Sequence, residues 1–236
     1  MRLTYTKKFA SLVIAGTLAV SGCSNSSTKK EASGAQAKTK TTVTLANTSQ
    51  RPSEINIPVS AKITRTGEIY LLRGLANVFS RGMDTMGAKM VRKGLDARVY
   101  NHTAWKDLAN NILLRKKRKK ISYPIVIMGH SLGANASTMM AKYLGDRGVR
   151  VDYVVAFDPT IRTSVGKNVK RVINYYLPNE KRTNIVVKAP GFKGTIKNIN
   201  VSGNPSITHT NVEKNPKFHN QVINRTYNLT RRARKK

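Results

Sequence analysis

The sequence predicts an α/β fold: a mostly parallel central sheet with helices on both faces. Three observations carry this. Short apolar, β-favouring runs alternate with helical periodicity from about residue 67 onward. The segments between runs are long enough for βαβ crossovers. One run, "PIVIMGHSLGANAS" (124–137), passes directly from strand to helix through Gly129-His130-Ser131-Leu132-Gly133.

The elements follow in order. "EIYLLRG" (68–74) is a short apolar run closed by glycine, read as a buried strand. In "GMDTMGAKMVRKGL", Met83, Met86, Met90 and Val91 share one helical face, and Gly94 ends it. Residues 96–103 read as a strand. Trp105, Leu108, Ile112 and Leu113 then mark a second helix. Residues 122–129 form the strand before Ser131, and Leu132, Ala136, Met139, Met140, Tyr143 and Leu144 the helix after it. Further strands are expected at 151–158, 169–177 and 183–190. The last helix has Asn215 as N-cap and Pro216 at its first position, with Phe218, Val222 and Ile223 facing inward. The Met and aromatic stripes are core packing.

The chain has 236 residues, enough for one sizeable domain. Its start reads differently. Arg2, Lys7 and Lys8 precede the apolar "FASLVIAGTLAV", and Val20-Ser21-Gly22-Cys23 follows. That is the layout of a secretory signal peptide over 1–22. "VSGC" resembles the lipobox of bacterial lipoproteins, which implies lipidation of Cys23, the only cysteine. Several acyl chains together anchor stably in a bilayer. The resemblance implies a cell-envelope location, on the outer membrane if the source is Gram-negative. Residues 23–54 carry the lipidated cysteine and a basic tether too polar to bury a core. The domain is expected over 55–230 and a basic tail over 231–236.

The formal net charge is +32, and about +29 without the leader's cations. Such a surface favours anionic partners, an anionic membrane surface first among them. "RKKRKK" (115–120) and "RRARKK" (231–236) are the densest runs. Neither interleaves aromatic residues as a single-strand-binding groove does. The sequence holds no nucleic-acid recognition motif, and a monomer is expected.

A G-x-S-x-G turn between strand and helix can hold a nucleophile. Gly129 and Gly133 would remove side chains that collide with the turn, leaving the Ser131 hydroxyl at a helix N-terminus. A serine nucleophile needs a base and an orienting acid. Asp146 ends a helix and Asp152 begins a strand, which places both at the wrong edge of the sheet. Asp158 ends a strand on the edge of Ser131; Glu180, one strand later, is the alternative. Among the histidines, His130 points away from the serine and His102 could line a pocket. His219 sits in the last helix as half-buried packing. His209, in the loop before that helix, is free to reach Ser131. The oxyanion donors would be the N–H of Leu132 and that of Leu75, with Ala76 next.

"IVIMGHSLGANAS", "VVAFDPT" and "ITHTNVEKNP" together resemble the α/β-hydrolases, in particular small lipases, thioesterases and cutinases. The resemblance covers roughly 67–227 and implies ester or thioester hydrolysis, a triad of Ser131, Asp158 and His209, and no metal or cofactor. In neutral lipases the strand-end Asp-Pro supplies the acid, which favours Asp158 over Glu180. The chain has Arg73-Gly74 where many members have His-Gly. A minimal domain without a large lid is expected. The competing reading is a non-catalytic basic lipoprotein that binds anionic envelope polymers or lipids.

Overall fold

The computed structural model describes residues 61–75, 80–178 and 184–233. Its centre is a six-stranded sheet of β1 (Glu68–Arg73), β2 (Ala97–Asn101), β3 (Ile125–His130), β4 (Tyr153–Phe157), β6 (Arg171–Tyr176) and β8 (Thr195–Asn200). The spatial order is β2-β1-β3-β4-β6-β8, and every neighbouring pair is parallel. Two short strands, β5 (Thr163–Val165) and β7 (Val186–Lys188), pair with each other alongside.

Strand alternation sends successive side chains to opposite faces. Ile69, Leu71, Val126, Met128 and Val155 pack on one face, against α1 (Arg81–Arg92) and α4 (Pro216–Leu229). Tyr70, Leu72, Ile125, Ile127 and Val154 pack on the other, against α2 (Trp105–Lys117) and α3 (Leu132–Asp146). The Met83, Met86 and Met90 stripe of α1 is fully buried, as its spacing predicts. Asn215 caps α4 through its side-chain oxygen, which accepts from the N–H groups of Lys217 and Phe218.

Four expectations shift. The strand at 96–103 ends at Asn101, whose side chain accepts from Thr103 N–H and turns the chain into a 3₁₀ turn, His102–Ala104. The run at 183–190 contributes only the short β7, outside the main sheet. Its neighbour in that pairing, β5, and the outer strand β8 lack an apolar signature: β8 is "TIKNIN", partly or fully exposed along its length. The 231–236 tail begins inside the fold. Arg231 N–H donates to Thr66 Oγ1, Arg232 bridges Arg65, and Ala233 N–H donates to the Thr64 carbonyl.

Candidate active site

The site lies at the carboxyl ends of β3 and β4, where ligands of open parallel sheets bind. Ser131 stands between β3 and α3 with φ 57° and ψ −122°, a conformation that side chains rarely adopt. The surroundings impose it. A Cβ at position 129 would run into the carbonyl of Gly133, and one at 133 into the carbonyl of Leu72. The two glycines thus let strand, turn and helix close on one another. Ser131 N–H donates to the Phe157 carbonyl (2.9 Å), which fastens the turn to β4.

Asp158 follows β4, also at positive φ (48°), and its N–H donates to Tyr175 on β6 (2.8 Å). Its carboxylate is 2% exposed. One oxygen accepts from Leu177 N–H (3.0 Å) and the Asn184 amide (2.6 Å). The other meets His209 Nδ1 at 2.6 Å. His209 Nε2 lies 3.0 Å from Ser131 Oγ. The three residues selected by type, chain order and sheet edge therefore form one hydrogen-bonded line. Ser131 is 9% exposed, and the His209 side chain 34%, so the line opens to solvent at its reacting end. Asp146 and Asp152 sit at the far edge, where Asp152 accepts from Ile125 N–H. Glu180 and Ala76 lie outside the described residues, as does Cys23.

Leu132 opens α3, so its N–H belongs to a first turn that has no acceptor within the helix. Gly74 lies against Ser131: a Cβ there would sit 3.1 Å from Ser131 Cβ. Leu75 is therefore adjacent to Ser131 along the chain's path, with its side chain 64% exposed. Two groups hold this loop. The Gly74 carbonyl accepts from His102 Nδ1 (3.2 Å), and Gly74 N–H donates to Ser80 Oγ (2.8 Å). His102 thus braces the loop from behind. Arg73 pairs with Asp84 on α1.

His130 ties two segments of the site together. Its Nδ1 lies 2.9 Å from Ser80 Oγ and its Nε2 2.7 Å from the carbonyl of His209. The proton order follows from the ends. Gly74 N–H can only donate, so the Ser80 hydroxyl hydrogen is available for His130 Nδ1. The His209 carbonyl can only accept, so Nε2 carries the imidazole proton. Burial holds His130 neutral by lowering its pKa to about 4, against the bond to His209 that raises it. Behind it lies Glu213, fully buried, with a carboxyl oxygen 3.7 Å from His130 Nε2. Burial pushes the Glu213 pKa up to about 7. His219, expected half-buried, is wholly buried: its Nε2 donates to the Glu213 carbonyl (2.6 Å) and its Nδ1 accepts from Lys89 (3.3 Å).

Sequence reasoning missed Asn184 and Ser80; Glu213 stood among the acids after Ser131, but its place beside His130 was not foreseen. No motif marks Asn184 or Ser80, because each joins the site through space from a different loop. Among the described residues, no group of histidine, cysteine and carboxylate side chains could hold a metal ion.

A parallel sheet in this order, a strained serine between strand and helix, and an acid and a histidine from the next loops define an α/β-hydrolase. The model of the class 3 lipase family matches residues 35–179, more than half of the chain, and the protein belongs to that family. The match includes Ser131 and Asp158; His209 lies beyond it. No curated protein matches the chain. Membership makes this a lipase- or esterase-like hydrolase.

Proposed function

We propose that the protein is a serine hydrolase that cleaves carboxylic ester or thioester bonds through an acyl-enzyme at the cell envelope. The observation that carries this is the continuous Ser131–His209–Asp158 hydrogen-bond line at the carboxyl edge of the sheet. His209 Nε2 takes the Ser131 proton as Oγ attacks the acyl carbonyl. Asp158 fixes the tautomer with the proton on Nδ1 and stabilises the imidazolium that forms. The N–H groups of Leu132 and Leu75 bind the oxyanion. The imidazolium then protonates the departing alcohol or thiol. Water, deprotonated by His209, releases the acyl group as a carboxylic acid.

Labelling the folded protein with a fluorophosphonate tests this reading. An adduct on Ser131 that disappears in Ser131→Ala supports it, whereas a folded protein that takes no label overturns it. Envelope anchoring through Cys23 rests on the leader and the lipobox resemblance. Its test is incorporation of a tagged fatty acid in a bacterial host, which Cys23→Ser should abolish. The net charge of +32 favours one further reading, a binding protein for anionic envelope polymers or lipids. That reading predicts salt-sensitive binding that persists in Ser131→Ala.

A further inference from the structure

Because all six main strands run parallel, their amino-terminal ends share one edge of the sheet and Ser131 occupies the other. The amino-terminal edge gathers cations from several separate loops. The approach to β3 exposes Lys117, Lys119 and Lys120. The approach to β4 adds Arg147 and Arg150, and that to β6 adds Lys167 and Lys170, all exposed. Arg231 lines the same depression as Arg150, next to the start of β1. The acids of this edge are engaged: Asp96 with Arg98, Asp146 with Lys142, Asp152 with Arg150, and buried Glu68 with Arg115. The fold therefore collects cations scattered along the sequence into one field.

We propose that this edge docks on an anionic phospholipid surface and turns the opposite, Ser131-bearing edge away from it. Ser131 then takes acyl groups that do not belong to that bilayer, a consequence that rests on the hydrolase reading above. Two features favour lipid over a nucleic acid. Leu113 and Leu114 floor an open concavity rimmed by Lys116, Lys117 and Arg147, which suits a headgroup and the first carbons beneath it. The aromatic rings at this edge are already covered: Arg147 lies 3.5 Å from the centre of the Tyr143 ring, and Arg150 4.6 Å from that of Tyr123. An arginine thus occupies one face of each ring, which leaves less room for base stacking. The route of the chain agrees with the docking. The first described residues run along this edge, where the Thr64 and Arg65 N–H groups donate to the Gly94 carbonyl and Arg65 bridges Arg232.

The test uses the full chain with Cys23→Ser, so that no lipid anchor contributes. Co-sedimentation with phosphatidylglycerol–phosphatidylcholine vesicles is compared with phosphatidylcholine alone, which measures any binding by the leader. A cation near an anionic leaflet strengthens binding about fivefold. The quadruple variant Lys117→Glu, Lys119→Glu, Lys120→Glu, Arg147→Glu should lose about a hundredfold or more on anionic vesicles while melting like the parent. Reversing Arg81, Lys106, Arg162 and Lys217 on the opposite edge should cost much less. Equal losses from the two sets, or none from the first, overturn the proposal. Duplex DNA that displaces the parent from vesicles at equal phosphate would reassign the edge to nucleic acid. Turnover of p-nitrophenyl butyrate should be the same for free and vesicle-bound protein; inhibition on binding would mean that Ser131 faces the bilayer. Ser131→Ala should bind as the parent does. Binding without turnover in the parent, free or bound, would sink the hydrolase reading and leave the docking face standing.

Discussion

His130 Nε2 donates to the carbonyl of His209 at 2.7 Å, so the residue before Ser131 holds the backbone of His209. Through Ser80 the same imidazole reaches Gly74, beside Leu75, the proposed oxyanion donor. One buried ring thereby sets the spacing between two parts of the site that must agree within fractions of an ångström. His130→Ala is expected to lower kcat about 10–100-fold with little change in KM, since the ring touches no substrate. His130→Gln places an amide where Nε2 stood and should recover part of the loss. Equal defects in the two variants, or a defect in KM alone, would remove His130 from this role.

Asp158 is oriented by Asn184 and Leu177 N–H, and only the first can be altered by mutation without moving the backbone. Asn184→Ala should reduce kcat about tenfold by freeing the carboxylate to turn. Asp158→Asn should reduce it about 10⁴-fold, because an amide stabilises the wrong imidazole tautomer. Steady-state kinetics on a short ester distinguishes the two. An Asn184→Ala enzyme as slow as Asp158→Asn would mean that Asn184 contributes more than orientation.

Ser131, Asp158 and His209 were readable from residue type, chain order and the edge of the sheet, all of which are linear information once the strands are placed. The helices were readable from apolar spacing. Strand β8 was not, because an exposed outer strand has no apolar stripe to betray it. The partners of His130 and Asp158 were hidden for another reason. Ser80 and Asn184 are single polar residues in loops and Glu213 sits in a short 3₁₀ helix, and what they touch is decided by how separate connections pack. The run "RKKRKK" shows the limit most sharply. It reads as one solvated patch, yet its first residue is core.

Arg115 is 3% exposed and donates to Glu68 through both terminal nitrogens, at 2.6 and 2.7 Å. Tyr70 OH, the Asn111 side chain and the Lys120 carbonyl also accept from it. Arg115→Ala would leave the Glu68 carboxylate buried without its guanidinium, which costs about 3–5 kcal/mol. Lys119→Ala, four residues later and exposed, should change stability by less than about 0.5 kcal/mol. Urea unfolding of the two variants would show the contrast. Similar midpoints for both would contradict the buried pair.

Glu213 and His130 load the protein's stability with pH in opposite directions. The Glu213 pKa is raised from 4.5 to about 7. Its folded state therefore holds a proton that the unfolded chain has lost, and stability falls as pH rises from about 4.5 through 7. The His130 pKa is lowered from 6.5 to about 4, so stability falls as pH drops from 6.5 towards 4. The titratable groups facing this pair are Asp158, His209 and Lys214. Glu213→Gln removes the first dependence and keeps the shape. It should raise Tm at pH 8 by on the order of 5–10 °C, corresponding to roughly 2–3 kcal/mol, and change it little at pH 5. His130→Gln should flatten the acid limb instead. Thermal melts of both variants between pH 5 and pH 8 test this; a Glu213→Gln gain that is the same at both ends would mean that Glu213 is not the group titrating.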